Sequence, residues 1–476
     1  MHLVADEIVP ILRGETRYAF HVPTSAFYAL DDLTFAVLES VQTRGGVRTD
    51  EVSNGFSAAL GADPSEVEGA VDDLRKLSLL VPNGERGMRG PLGDKPPAHD
   101  GMANLVLHVA HACNLGCTYC YAEHGLYKGK AEMMTEDRSL EYIDWLFDQA
   151  DPSTKQLGVT FFGGEPLMNM HVVRRAAAHA QRRSTETGID VRFGMTTNGT
   201  LVTEDIAAFL ADIDCTVTVS LDAVGKTNDR LRPFHSGKGS YDRVLDRIRP
   251  LLARRMCVAR ATITKVNLDV VKTVETLLDE GFREVGCSAV DAGNPAYDLN
   301  GADYVKLLDG FGVLARRYIE EAVEGRRYGF SNIHNIVKAF HLGHNKDYPC
   351  GAGLQMVAGA PNGKMHLCHR FVGEDDYVLG DVTDGGIDQT RRKSMLQVIN
   401  LEQRSDCGSC WARYVCSGGC HHVNFLFEGD PAKTYTSHCD WLRAWYTLGL
   451  ETYTEILERN PAFISNYVDP GYVCRH

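Results

Sequence analysis

The chain has 476 residues, 44% of them apolar, and a formal net charge of −14. At roughly 150 residues per domain it holds about three globular domains, and its acidic balance speaks against nucleic acid, which must be held on a basic face. Asp6 and Glu7 interrupt the start HLVADEIVP, and no apolar run of about 18 residues follows anywhere. The expectation is a cytoplasmic protein without a membrane partner, whose 14 cysteines serve metal or redox chemistry rather than disulfides.

The first block, residues 1–90, contains FYALDDLTFAVLESV, TDEVSNGFSAAL and PSEVEGAVDDLRKLSLLVP. The last of these sets Val67, Val71, Leu74, Leu77 and Leu80 at helical spacing behind the capping signal Asp63-Pro64-Ser65. A small winged-helix-like unit is expected. Its acidic residues Asp31, Asp32, Glu51, Glu66, Glu68, Asp72 and Asp73 weaken a DNA-binding reading. The stretch RGMRGPLGDKPPAHDG, rich in Gly and Pro, predicts a linker at 91–103.

From residue 104 the pattern alternates. The apolar runs LVLHVA, LGVTFF, VRFGMTT, TVTVSL, ARATIT and EVGCSAV take turns with helical patterns such as SLEYIDWLFDQA and VVKTVETLLDEGF. Six βα repeats predict an α/β fold, a partial (β/α)6 TIM-like barrel over 104–329, with its chemistry at the C-terminal ends of the strands. Candidate residues lie there: Cys113, Cys117 and Cys120 after the first run, Gly163-Gly164-Glu165-Pro166 after the second, Asn198 after the third, and Ser220 with Asp222 after the fourth.

Three thiols in HACNLGCTYCYAEHG, spaced CxxxCxxC, give three ligands to a four-iron cubane and leave one iron open, as a catalytic zinc keeps an open position. With Tyr119 before the last cysteine, GGEP at 163–166, TNG at 197–199 and SLDA at 220–223, the chain resembles the radical S-adenosylmethionine superfamily. The resemblance implies a [4Fe-4S] cluster on Cys113, Cys117 and Cys120 whose open iron chelates S-adenosyl-L-methionine. It further implies that Gly163, Gly164 and Glu165 lie by the amino group, Asn198 and Ser220 near the ribose, and Arg232 opposite the carboxylate, a planar anion suited to a guanidinium fork.

The last block, 330–476, reads Cys350, Gly363, Cys368, then Cys407, Cys410, Cys416, Cys420 and Cys439, that is C-x12-G-x4-C, a gap, C-x2-C-x5-C-x3-C, a gap, and C. A zinc ribbon could use CGSC beside CSGGC. The full pattern instead resembles the SPASM extension of peptide maturases. That resemblance implies two auxiliary [4Fe-4S] clusters, one on Cys407, Cys410, Cys416 and Cys439, the other on Cys350, Cys368 and Cys420, which leaves a position open to a soft ligand such as a substrate thiolate. Cys474 is an alternative occupant or a frayed terminal residue. Cys215, Cys257 and Cys287 read as small buried hydrophobes, and His421-His422 as surface or packing residues.

The first block is similar to PqqD-type peptide-recognition domains, which take a leader segment as an added strand. The implied partners are a substrate polypeptide with a leader and an electron donor such as a flavodoxin or ferredoxin. The segment LCHRFVGEDDYVLGDV is similar to its counterpart in thioether-forming maturases, the branch expected here. Alternatives are an anaerobic sulfatase maturase, in which an aspartate stands where this chain has His369, and an electron carrier without radical chemistry, for which an open iron has no use. Asp222, Asp229, Glu374 and His369 are all candidates for a general base, and nothing in the pattern chooses among them.

Overall fold

The structure is a computed structural model that describes residues 2–5, 7–13, 15–51, 57–84 and 101–469. Most of the expected linker, 91–100, and Cys474 fall outside the described residues.

The six apolar runs form six parallel strands, Asn104–His111, Gln156–Gly163, Asp190–Thr197, Thr216–Ser220, Cys257–Ile263 and Val285–Ala289, hydrogen-bonded in sequence order. Side chains alternate across a strand, and the composition follows that alternation. Leu105, Leu107, Val159, Phe161, Val217, Val219, Ala259 and Ala261 are buried under the helices, while Thr160, Thr196, Thr218, Ser220, Arg260 and Thr262 line the concave face. The result is a partial α/β barrel whose outer layer is core and whose inner layer is a cavity.

Sequence pattern left one feature unseen. Met356–Gly359, from the cysteine-rich block, pairs parallel with the first barrel strand, Ala358 opposite Val106, and Lys364–His366, Val378–Asp381 and Gly386–Ile387 continue the sheet antiparallel. The barrel sheet therefore runs directly into the cysteine-rich block and sets the distance between the two groups of thiols. Tyr142, on the helix Glu136–Asp148, locks this junction by donating to the carbonyls of Ala360 and Lys364.

In the first block, two three-stranded sheets flank the helices Asp32–Arg44 and Pro64–Lys76. Asp63 caps the second helix by accepting from Ser65 N at 2.8 Å, and Val67, Val71 and Leu74 are buried. The apolar stripe was expected to include Leu77, but Leu77 is 38% exposed. The helix stops at Lys76 and Leu77 is its C-cap, so the helical period no longer governs where that side chain points. The sheet Ile8–Arg13, Thr16–His21, Ala26–Leu30 packs against the last block, where Phe20 meets Phe340 and Trp411, Phe27 meets Tyr453, and Glu7 pairs with Arg413. Among the described residues no helix is long and apolar enough to cross a membrane.

Candidate active site

The cysteine loop leaves the first barrel strand and is pinned from the far side by 231–234. Gly116 N donates to Pro233 O at 2.8 Å, Thr118 N donates to Leu231 O at 3.0 Å, and Leu115 bridges to Phe234. Backbone bonds thus hold the loop at the mouth of the barrel and leave its thiols free. Cys113 Sγ accepts from Leu115 N at 3.4 Å and from Asn198 Nδ2 at 3.7 Å, and Arg232 Nη1 reaches Cys117 Sγ at 3.8 Å. Burial pushes the Cys113 thiol up to about 11 and Cys117 up to about 12; Cys120 raises both further, and Cys113 also raises Cys117. Mutual repulsion of this kind means the three sulfurs face one another.

The remaining cysteines sort in the same way. Cys350, Cys368 and Cys420 act on one another, and so do Cys407, Cys410, Cys416 and Cys439. All are free thiols, and among the described residues no three Cys, His, Asp or Glu side chains converge closely enough to hold a single ion. Two groups of three and one of four soft donors, too spread for a zinc ion, fit polynuclear iron–sulfur groups. Cys215, Cys257 and Cys287 are buried in the barrel core away from these groups, and His421 and His422 are buried.

The GGEP turn lies directly on the cysteine loop. A Cβ on Gly164 would stand 2.2 Å from Ala112 O, and one on Gly125 would stand 2.7 Å from Gly164 Cα, so the two segments touch backbone to backbone and only glycine fits. Gly163 and Gly164 line the cavity. The Glu165 side chain lies behind its wall: fully buried, it accepts from Leu167 N at 3.0 Å, Thr197 Oγ1 at 2.7 Å and Asn198 N at 2.7 Å. Burial raises its carboxyl to about 7, and the same three donors pull it back down. Its side chain is therefore a clamp between the second and third strand ends. Glu165→Gln places an amide N–H against these donors and is expected to lower stability by about 1–3 kcal/mol, read as a lower thermal unfolding midpoint.

Asn198 is fixed by accepting from Thr200 N at 3.0 Å and by donating to Asn114 Oδ1 at 2.8 Å, while Ser220 opens onto the cavity. Arg232 lines the cavity but is already paired, its Nε 2.8 Å from Asp222 Oδ2. Asp222 also accepts from the Tyr119 hydroxyl and from Thr262 N at 2.9 Å and is fully buried. With its lone pairs thus committed, Asp222 is an anchor and not a poised base. Asp229 accepts from Tyr241 N at 2.8 Å, at the start of the helix Tyr241–Ala253, and Glu374 pairs with Lys128 at 2.5 Å; neither lines the cavity. Of the four candidate bases only His369 does. Its ring lies 5.0 Å from that of Phe162, and burial, aided by Arg370, lowers it to about 4, so it stays neutral at neutral pH.

The barrel cavity measures about 690 Å³ and reaches from Cys113, Cys117 and Cys120 to His369 and Arg370. A second cavity, of about 600 Å³, is lined by Cys350, Cys420, Cys407, Cys410, Cys416 and Cys439. Arg260, Ser288, Ala289, Asp291 and Ser331 line both, so the two spaces adjoin. No motif in the sequence marks these five. The one available signal was Arg260, a lone charge at an alternate position of the apolar run ARATIT.

Residues 107–277 match the model of the Radical SAM superfamily. An uncharacterized protein of Methanocaldococcus jannaschii is 32% identical over 141 residues, 30% of this chain and 46% of that one, so the chain spans under half the length of that relative. The serine-type anaerobic sulfatase-maturating enzyme of Klebsiella aerogenes is 21% identical over 392 residues, 75% of this chain and 92% of that one. Among solved structures, native anSMEcpe with bound AdoMet superposes with a TM-score of 0.66 at 18% identity, covering 76% of this chain and 100% of that one. The fold is thus the partial α/β barrel of that structure, and residues 107–277, which carry the cysteine loop at its mouth, match the Radical SAM superfamily model.

Proposed function

We propose that the chain is a SPASM-type radical S-adenosylmethionine maturase that joins a substrate cysteine sulfur to a carbon of an aspartate or glutamate in the same ribosomal polypeptide, maturing the small subunit of a quinohemoprotein amine dehydrogenase. The carrying observation is the three-to-four division of the auxiliary thiols beside a cavity that adjoins the Cys113 loop. Cys113, Cys117 and Cys120 would hold the cluster that supplies the electron for cleaving S-adenosylmethionine to a 5′-deoxyadenosyl radical, and the auxiliary thiols would hold clusters that offer the substrate sulfur a ligand position at Cys350, Cys368 and Cys420 and an acceptor for the surplus electron.

The chain's own part is positioning. Gly163, Gly164, Asn198, Ser220 and Tyr119 shape the end of the cavity beside the Cys113 loop. Cys350, Cys368 and Cys420 mark the sulfur side, and the stretch between keeps the reacting carbon away from bulk water. The first block, with its open three-stranded sheet, suits capture of a leader segment as an added strand, and an electron donor such as a flavodoxin or ferredoxin completes the cycle. The Klebsiella maturase, named for acting on another protein, supports a polypeptide substrate.

Anaerobic co-expression with a cysteine-containing partner polypeptide, then alkylation, digestion and mass spectrometry, tests the reading. The expected result is a loss of two hydrogens per event, with the cysteine protected from alkylation and linked to an Asp or Glu carbon. Loss of sulfur with gain of an aldehyde would transfer the assignment to formylglycine formation, a reaction in which His369 would have to stand in for aspartate. No mass change with verified binding would leave an electron carrier. Cys410→Ala is expected to remove the iron of one auxiliary cluster and stop cross-linking while deoxyadenosine is still formed, measured by iron analysis and chromatography.

A further inference from the structure

Five arginines line the two cavities, and four of them have a carboxylate partner: Arg232 with Asp222 at 2.8 Å, Arg370 with Asp291 at 3.9 Å, Arg413 with Glu7, and Arg443 with Asp440 at 2.5 Å. Arg260 is the exception. Among the described residues its only hydrogen bond is donated from Nη2 to the Ser288 hydroxyl, and the only titratable group acting on it is the Cys287 thiol. Arg260 is exposed on the cavity side, and the protein packed around the rest of its side chain lowers its basicity.

The position is built into the sheet. Arg260 pairs with Ser220 on one side and Gly286 on the other, so it projects from the inner face of the barrel beside the expected ribose contact. Gly286 makes the room, since a Cβ there would stand 3.0 Å from Arg260 Nη1 and 2.9 Å from Ser331 Oγ. A guanidinium that faces the cavity without a carboxylate partner leaves its planar fork free for an arriving anion, and that fork is shaped for a carboxylate. Two sources of carboxylate can reach this cavity, the methionine end of S-adenosylmethionine and an acidic side chain of the substrate. Arg260 borders both cavities and stands between the radical-side thiols and the auxiliary thiols, which favours the substrate.

We infer that Arg260 determines substrate specificity by binding the side-chain carboxylate of the aspartate or glutamate to be modified. The inference rests on the maturase reading above and names the group that selects the acceptor residue. Arg260 is then a binding group that orients the acid within the cavity.

The test uses the anaerobically reconstituted full chain saturated with S-adenosylmethionine, and two probes, N-acetyl-aspartic acid α-amide and its neutral asparagine counterpart, titrated calorimetrically. The wild type is expected to prefer the acid by about tenfold or more, the range of a charge-assisted hydrogen bond. Arg260→Met should erase the preference and Arg260→Lys retain part of it, with S-adenosylmethionine affinity within about twofold of wild type in both. Equal or undetectable binding of the two amides by the wild type overturns the inference, as does a preference that survives Arg260→Met. A large loss of S-adenosylmethionine affinity in Arg260→Met, with the preference intact, would assign the guanidinium to that cofactor's carboxylate. Because binding needs no cross-link, an intact carboxylate preference alongside a failed mass shift would sink the thioether reading alone.

Discussion

Cys117→Ala is expected to abolish S-adenosylmethionine cleavage, with no deoxyadenosine detectable by chromatography and the iron content falling by one cluster. Cys117 faces Cys113, Cys120 and the Arg232 guanidinium, and burial holds its thiol up to about 12. A buried thiol of that kind carries no charge of its own accord; only bound iron makes the thiolate the favoured form. Alanine removes one of the three loop thiols, while the loop stays held by backbone bonds to 231–234 and by the Tyr119 hydroxyl on Asp222. Those same bonds keep the loop in place, so the variant should retain its fold and the two auxiliary clusters proposed above. Deoxyadenosine formation by Cys117→Ala would refute the assignment of this loop to the radical chemistry.

Asp222→Asn carries the largest expected cost in stability, about 3–5 kcal/mol, the loss typical when one partner of a buried ion pair is removed. Asp222 is fully buried and Arg232 only 12% exposed, so water reaches the orphaned guanidinium only from its cavity side. The asparagine amide would also point hydrogens at donors, Arg232 Nε or the Tyr119 hydroxyl. Three separate pieces of chain meet at this carboxylate: the cysteine loop through Tyr119, the segment after the fourth strand through Arg232, and the fifth strand through Thr262. A markedly lower unfolding midpoint of the apo chain is the expected readout. Removing both charges, with Asp222→Asn and Arg232→Leu together, should recover part of the loss, because the penalty lies in the unpaired charge. An unchanged midpoint in the single variant would show that the anchor is dispensable.

The sequence by itself determined the six-strand rhythm and the places along the chain where chemistry gathers, because both are written in local periods. Alternation of two along TVTVSL or ARATIT assigns alternate residues to opposite faces, and three thiols in eight residues are close in any fold. It also named the members of the three thiol groups, through resemblance and not through spacing. Tertiary structure decided the rest, because those facts depend on contacts between residues far apart in the chain. Asp222 and Glu165 look alike as acids in turns near a motif, yet each is consumed by donors from distant strand ends, Thr262 and Asn198 among them. Pairing of Met356–Gly359 with the first barrel strand joins the cysteine-rich block to the barrel, and a parallel register of that kind leaves no local mark. Arg260 shows both halves of the lesson: its alternation places it on the inner face, and only the assembled barrel shows that, among the described residues, no carboxylate meets it there.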